Sequence, residues 1–217
     1  MAVLITIGIK AIAFLLALSA HELAHGYVSA KLGDPTPRWA GRLTLNPLAH
    51  LDPLGTLVFL LTSLLNSFSG GGGFVIGWAK PVPVDPRYYR NPRQGLTLVG
   101  LAGPGANVLL AVAFGLPLRL GLVAGRGLAG VLLLTFLEWM VFTNAGLAAF
   151  NLLPVPPLDG SKILAGILPR RRAALIWQLE RYGPFLLMLL LLTGWVYPVL
   201  GPLFQFFVRL ALGGSVG

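Results

Sequence analysis

The stretch SAHELAHGYVSAK (residues 19–31) directly follows the apolar run VLITIGIKAIAFLLALSA (residues 3–20). The two together are long enough for one membrane-crossing helix, since about 20 apolar residues span the hydrocarbon of a bilayer. Ionisable residues inside such a span are costly and are usually functional. The sequence therefore predicts a long first helix over residues 2–30, ending near Lys31, that carries a functional site close to its end.

The histidines of this stretch have the spacing of metal ligands. His21 and His25 are four residues apart, and residues at that spacing lie on the same face of a helix. Glu22 is turned from His21 by about 100° and can reach a metal-bound water without being a ligand itself. This HExxH arrangement is typical of zinc peptidases. The alternative is a set of polar side chains that line a helix bundle or a proton path.

The composition is that of an integral membrane protein. Of the 217 residues, 56% are hydrophobic and 11% are charged, and the mean hydropathy is +0.80. A soluble domain carries about 25% charged residues. We expect an all-α polytopic membrane protein, a bundle of five or six transmembrane helices, in a single domain over residues 1–217. Cysteine is absent, which excludes disulfides and thiolate metal sites.

The net charge of +9 is better explained by membrane topology than by nucleic-acid binding, because the basic residues lie between apolar runs. If residues 54–68 do not cross, one side of the membrane receives Lys31, Arg38, Arg42, Lys80, Arg87, Arg90, Arg93, Arg170, Arg171 and Arg172. The opposite side receives Arg119 and Arg126. The positive-inside rule then predicts a multi-pass cell-membrane protein whose more basic side is cytoplasmic and whose N-terminus is outside.

This orientation allows an estimate of how deep His21 and His25 lie in the membrane. If Lys31 marks the membrane interface, His21 lies about 15 Å inside it, at 1.5 Å per helical residue. We therefore expect a metal site within the hydrocarbon and nearer the cytoplasmic face.

The remaining segments are shorter or broken. Residues 54–68 are too few to span and predict a re-entrant segment, and FVIGWAKPVPV (residues 74–84) predicts an extended segment or a small β-hairpin. We further expect spans over 95–118 and 128–150, an interfacial helix over 173–182, a span from about Pro184, and a short last segment over 199–212.

Zinc needs a third protein ligand and an open position for water. The candidates are Glu138, His50, Asp52 and Asp159. We favour Asp159, because the prolines between residues 154 and 157 forbid a regular helix there, and broken backbone at membrane depth is tolerated where it lines a site. The alternative is that Asp159 only caps the helix that follows it. Glu138 is expected to be buried, and either paired or protonated.

Three asparagines accompany these candidates. Asn151 ends an apolar run eight residues before Asp159 and could stabilise a developing oxyanion, although a polar cap at the end of a helix is nearly as good an explanation. Asn144 falls on the same helix face as Asn151. Asn107 lies beside the small residues Gly103 and Gly105 and predicts a helix–helix contact.

Three motifs, HELAH, LAGPGAN and NLLPVPPLDG, occur here in the order in which they occur in the site-2 proteases, and the chain resembles that family over roughly residues 10–168. Site-2 proteases are zinc-dependent intramembrane metalloproteases. The resemblance implies that His21, His25 and Asp159 bind one Zn²⁺ per chain and that Glu22 is the catalytic acid and base. It also assigns Asn151 to substrate binding or oxyanion stabilisation.

The resemblance implies a substrate class as well. Site-2 proteases cleave transmembrane segments of other proteins, often membrane-tethered regulators, from a site reached on the cytosolic side. The stretch LTLNPLAHLDPLGT is similar to the short bacterial subgroup that lacks PDZ and CBS domains. His50 lies in this stretch, where it could be a structural hydrogen-bond donor, a group that supports the metal ligands, or an occluding ligand.

A helical substrate hides its carbonyls and has to be unwound before attack. An exposed edge within residues 74–84 could hold the unwound peptide by strand addition, and Pro81 and Pro83 suit an edge. Val75, Gly77 and Asn144 are our candidates for substrate contact. The expected partners are transmembrane protein substrates and the lipid bilayer, and the oligomeric state is left open. The main alternative is a transporter or channel that moves metal ions or protons through the same cluster, and a silent membrane scaffold is a second.

Overall fold

The computed structural model describes residues 2–68 and 77–214, and most of these residues are helical. Within them the α-helices are α1 (Ala2–Lys31), α2 (Thr36–Trp39), α3 (Pro53–Phe68), α4 (Pro92–Arg119), α5 (Gly127–Asn151), α6 (Asp159–Ile167), α7 (Arg170–Glu180), α8 (Gly183–Thr193) and α9 (Tyr197–Leu212). Two short 3₁₀ turns, Pro47–Ala49 and Pro86–Tyr88, lie in the connections.

Three of the described helices, α1, α4 and α5, are long and apolar enough to cross a membrane. The helices α8 and α9 are bent by 86° at a short break and give a fourth candidate if they form one broken span. This makes a multi-pass protein with three or four candidate spans, so the predicted five or six are not confirmed. Two local features account for the smaller number of spans. Helix α3 has only 16 residues and is too short to cross. Gly194 ends α8 in the left-handed region at φ 78°, so that α8 and α9 do not form one continuous helix.

Helix α4 is the centre of the bundle and contacts α1, α5, α6 and α9. Asn91 caps its start by accepting a hydrogen bond from the backbone N–H of Gln94. Small residues allow the neighbours to approach: a Cβ on Gly100 would meet the backbone oxygen of Asp159 at 3.1 Å, and one on Gly115 would meet that of Ala211 at 2.7 Å. Close approach at glycine is the usual basis of helix packing in membranes.

A short irregular segment, residues 152–158, brings α6 back against the end of α5. The prolines in this segment prevent α5 from continuing past Asn151. A Cβ on Gly160 would overlap the backbone oxygens of Leu152 and Leu153, so α6 can start where it does only with glycine at this position. This turn places Asp159, the first residue of α6, beside α1 and α4.

The predicted hairpin at residues 74–84 is corrected in part. Residues 74–76 lie outside the described residues. The described remainder, residues 77–84, contains a single β-bridge, which joins Ala79 to Leu51 in antiparallel orientation. Residues 77–84 therefore pair with the segment before α3 and not with a second strand of their own. The pairing stops at one bridge because Pro81 and Pro83 have no N–H groups with which to continue a ladder.

Candidate metal centre

Three buried side chains from two helices converge at one point. The Nε2 atoms of His21 and His25, on α1, lie 3.0 Å apart. Asp159 Oδ2 lies 3.2 Å from His21 Nε2 and 3.0 Å from His25 Nε2. The exposed fractions of the three residues are 3%, 7% and 4%. Within the described residues, this is the group of His, Cys, Asp and Glu side chains that could hold a metal ion.

The donor set fits zinc. A tetrahedral zinc ion with bonds of about 2.0–2.1 Å separates its ligand atoms by about 3.3 Å, close to the 3.0–3.2 Å between these atoms. Two imidazoles and one carboxylate are also the three protein ligands of catalytic zinc sites that keep a fourth position open. The cluster therefore fits a catalytic Zn²⁺ better than a closed structural one.

Both imidazoles are held by their other ring nitrogen. His21 Nδ1 lies 2.6 Å from Asn107 Oδ1, and His25 Nδ1 lies 2.6 Å from the backbone oxygen of Val99. Both partners belong to α4. Histidine ligands of metals usually donate their second ring N–H to such an oxygen, which fixes the ring and its tautomer. The two Nε2 atoms are then free to bind a cation.

Gly103 makes this arrangement sterically possible. A Cβ at this position would overlap His25 Nε2 and lie 2.6 Å from His21 Cε1. Gly105, two residues later in the same motif and on the opposite side of the helix, has open space around its Cβ position. The first glycine is required by the histidine pair, and the second is not.

The second carboxylate oxygen of Asp159 also has a hydrogen-bond partner. Lys162 Nζ donates a hydrogen bond of 3.0 Å to Asp159 Oδ1, on the side opposite the histidines. Helix α6 begins at Asp159, and its N-cap is Leu158, which forms no side-chain cap. The carboxylate of Asp159 therefore faces His21, His25 and Lys162 and does not cap the helix, which was the alternative considered for it.

A cavity of about 160 Å³ opens beside the cluster. It is lined by His21, Glu22, His25, Pro81, Val82, Val84, Val99, Asn151, Pro157, Asp159 and Lys162. Glu22 and Asn151 thus share one space with the three candidate ligands. Asn151 Nδ2 donates one hydrogen bond of 3.0 Å to Leu147 O on its own helix, which leaves its second N–H for another acceptor.

Residues 77–84, which we name the covering segment, form the other wall of this cavity. The Lys80 N–H donates to His50 O at 2.9 Å, and the Val82 N–H donates to Glu22 Oε2 at 2.8 Å. Both bonds point towards α1 and the segment before α3. The covering segment therefore contacts the candidate base directly.

Other predicted residues lie elsewhere. Asn144 is fully buried and bonds to Asn107 and Met140 O, so the structure does not bring it to the cavity. Gly77 packs against α3, where a Cβ would meet Phe59 Cβ at 2.7 Å. Val75 lies outside the described residues.

The rejected ligand candidates are also separate from the cluster. His50 is buried and its Nε2 donates to Thr44 O at 2.8 Å, next to the pairing with the covering segment. Asp52 Oδ1 accepts from the Gly55 N–H at 2.7 Å at the start of α3. Glu138 is exposed on α5, which corrects the expectation that it is buried, because its position on α5 faces away from the packed helices.

Three further residues at the site were not found from the sequence. Asn107 was expected only as a helix–helix contact, Gly103 only as a small packing residue, and Lys162 was not considered. The spacing of Lys162, three residues after Asp159 on a helix, was the available signal, since such pairs are neighbours on the helix surface. Nothing local to Asn107 or Gly103 indicates contact with the histidines.

Comparison with known proteins gives consistent matches. The model of "Peptidase family M50" matches residues 120–193, which include Asn151 and Asp159. "Putative zinc metalloprotease YwhC" of Bacillus subtilis is 38% identical over 192 residues, covering 84% of this chain and 79% of that protein. "Putative zinc metalloprotease Rip2" of Mycobacterium tuberculosis is 33% identical over 212 residues, covering 94% of this chain and 76% of that protein. No solved structure matches.

Proposed function

The chain belongs to peptidase family M50, the site-2 type of membrane metalloprotease, and on that premise we propose that it is an intramembrane endopeptidase. Its substrates are transmembrane segments of other membrane proteins, which it hydrolyses with one Zn²⁺ per chain. The observation that carries the proposal is the convergence of His21, His25 and Asp159 beside Glu22, on helices that are apolar enough to lie in a membrane.

We assign the metal to His21 Nε2, His25 Nε2 and Asp159 Oδ2. Zinc supplies Lewis-acid chemistry when bound there: it acidifies water in its open position and polarises the scissile carbonyl. Lys162 neutralises the second oxygen of Asp159 and keeps Oδ2 turned towards the histidines. Val99 and Asn107 hold the two imidazoles from behind.

Glu22 is the general base and then the general acid in this scheme. Its carboxylate lines the cavity next to His21 and His25. It takes a proton from the attacking water and delivers that proton to the leaving amine nitrogen when the C–N bond breaks. Oε2 accepts from the Val82 N–H, which leaves Oε1 for the water.

Asn151 stabilises the negative charge that develops on the former carbonyl oxygen. Its side chain lines the same cavity, and one of its two side-chain N–H groups is already bound to Leu147 O. The bound N–H orients the amide, and the free N–H is the donor for the oxyanion. Such a pre-oriented donor loses little entropy during reaction.

The depth of the site supports access from the cytoplasm. His21 lies ten residues before Lys31 at the end of α1, about 15 Å along the helix axis. The basic residues near this end favour the cytoplasmic side of the cell membrane under the positive-inside rule. Water and the unwound substrate then enter from that side.

The covering segment gives the substrate an edge to pair with. In extended backbone the groups of successive residues alternate in direction, so the inward N–H groups of Lys80 and Val82 leave Ala79 and Pro81 directed outwards. Proline has no N–H, and this edge therefore accepts hydrogen bonds more than it donates them. A bound substrate strand has to supply N–H groups at the matching positions.

The proposal is tested by incubating purified protein with single-span membrane proteins, with and without a zinc chelator. Glu22→Gln should retain zinc and lose cleavage by on the order of 10²- to 10⁴-fold, the usual contribution of a general base. Asp159→Ala should lose zinc, whereas the control Asp52→Ala, which removes a cap of α3, should keep it. Cleavage by Glu22→Gln at the wild-type rate would contradict the proposal, as would ion transport into liposomes without any cleavage.

A further inference from the structure

We propose that Asn107 and Asn144 are positioning residues that fix the tautomer and orientation of His21. They form a directional chain of hydrogen bonds from α5 through α4 to α1. This inference rests on the proposed function only in taking His21 as a zinc ligand. Asn144, which the sequence predicted to contact substrate, instead orients Asn107.

The outer end of the chain is fixed by a backbone carbonyl. Asn144 Nδ2 donates to Met140 O at 2.8 Å. A carbonyl oxygen can only accept, so reversing this amide would set two acceptors against each other. Asn144 Oδ1 therefore faces Asn107.

The middle of the chain is fixed by two acceptors. Asn107 Nδ2 donates to Asn144 Oδ1 at 2.8 Å and to the backbone oxygen of Ala17 at 3.1 Å. Both hydrogens of this amide are used, and neither partner can donate in return in this arrangement. Asn107 Oδ1 must then point at His21.

The inner end determines the state of the ligand. His21 Nδ1 lies 2.6 Å from Asn107 Oδ1, and an amide oxygen can only accept. The proton of a neutral His21 is thus held at Nδ1, and the lone pair is at Nε2, facing His25 and Asp159. Two backbone carbonyls, at residues 17 and 140, thereby decide which nitrogen of His21 is available to a metal.

The burial of the chain separates this role from substrate binding. Asn107 and Asn144 are both 0% exposed, and neither lines the cavity. The other ligand is held differently, since His25 Nδ1 bonds to the backbone oxygen of Val99, which no side-chain substitution removes. Loss of the asparagines should therefore weaken His21 alone.

The test measures zinc affinity by chelator competition and the absorption spectrum of the Co²⁺-substituted protein, without any cleavage assay. Asn107→Leu should lower zinc affinity by about 10- to 100-fold, the usual loss when the partner of a histidine ligand is removed, and should change the Co²⁺ spectrum. Asn107→Asp keeps an acceptor for His21 Nδ1 and, when its second oxygen is protonated, a donor towards Ala17 O and Asn144 Oδ1, so it should recover part of the affinity. Asn144→Leu should lower affinity less, by about 3- to 10-fold, because Ala17 O still orients Asn107.

Asn91→Ala is the matched control on α4. It removes the cap of the same helix and should lower the unfolding temperature while leaving zinc affinity and the Co²⁺ spectrum unchanged. Wild-type zinc affinity in Asn107→Leu, or equal losses in Asn107→Leu and Asn107→Asp, would overturn the inference. If Asn107→Leu does not fold, wild-type affinity in Asn144→Leu overturns it. Failure of the wild-type protein to cleave substrate would count against the proposed function and leave these measurements intact.

Discussion

The two walls of the cavity are built in opposite ways. The wall that carries His21, His25 and Asp159 consists of helices, and each of these side chains is buried and bonded to a second group. The covering segment, residues 77–84, has no regular structure and is held mainly by backbone hydrogen bonds to His50 and Glu22.

This difference separates chemistry from access. Moving any ligand on the helical wall would break a buried hydrogen bond, and an unpaired buried polar group costs about 1–3 kcal/mol. The covering segment presents the outward backbone groups of Ala79 and Pro81 to a substrate strand, while its inward bonds to His50 and Glu22 are kept. We infer that metal binding depends on the first wall and substrate binding on the second.

The largest expected effect comes from filling the space that Gly103 leaves next to the imidazole rings of His21 and His25. Gly103→Ala places a methyl group against His25 and His21 and should reduce zinc affinity by about 100-fold or more, since direct displacement of ligands exceeds the usual loss of 10- to 100-fold from their supports. Chelator competition measures this. Gly105→Ala, with open space at its Cβ, should behave as wild type. Equal zinc affinity in both variants would break the proposed link between the first wall and the metal.

A smaller effect is expected from the second wall. A Cβ at Gly55 would overlap the backbone oxygen of Trp78 and lie 2.9 Å from its indole ring. Gly55→Ala should therefore shift the covering segment and raise KM for a single-span substrate by roughly 3- to 10-fold, about 1 kcal/mol, with zinc content unchanged. Gly8→Ala, which meets nothing within 4 Å, is the control. A loss of zinc in Gly55→Ala would show that the walls are not separate.

The smallest expected effect on zinc binding and catalysis concerns the anchor at the end of the covering segment, which should change the stability of the protein instead. Asp34 accepts hydrogen bonds from Ser29 Oγ, the Thr36 N–H and the Asp85 N–H. Burial alone would raise the pKa of Asp34, but these donors outweigh it and hold the pKa below its usual value.

Because the pKa of Asp34 is lower in the folded state, its stabilisation is present above the unfolded pKa of about 3.9 and is lost as pH falls through the folded value. Asp34→Asn should lower the free energy of unfolding at neutral pH by about 1–3 kcal/mol and make it less dependent on pH below about 4. Ser29→Ala should act in the same direction and less strongly. Thermal unfolding in detergent between pH 2 and 7 measures both, and an unchanged acid dependence in Asp34→Asn would contradict this assignment.

Features set by neighbouring residues could be predicted from the sequence. The first helix was predicted over residues 2–30, and α1 runs over Ala2–Lys31. The interval from His21 to His25 needed only the helical repeat, and the prolines before Asp159 indicated the break that brings it to the site. In each case the physical cause lies within one or two turns of the residue.

Features set by distant residues could not be predicted in the same way. The bond from Asn107 to His21 joins positions 86 residues apart, and no local pattern reveals it. Asn144 and Asn151 share a helix face by periodicity, but one turn of α5 faces α4 and the last turn faces the cavity. The pairing of Ala79 with Leu51 likewise depends on how α3 packs, which the hairpin prediction did not consider.

Anomalous X-ray diffraction at the zinc absorption edge, from crystals of the active protein, tests the central claim most directly. We expect one peak per chain, within about 2.0–2.2 Å of His21 Nε2, His25 Nε2 and an oxygen of Asp159, with Glu22 beside it and not bound to it. A peak at another site, such as His50, or no peak in crystals of protein that cleaves its substrate, would contradict the claim.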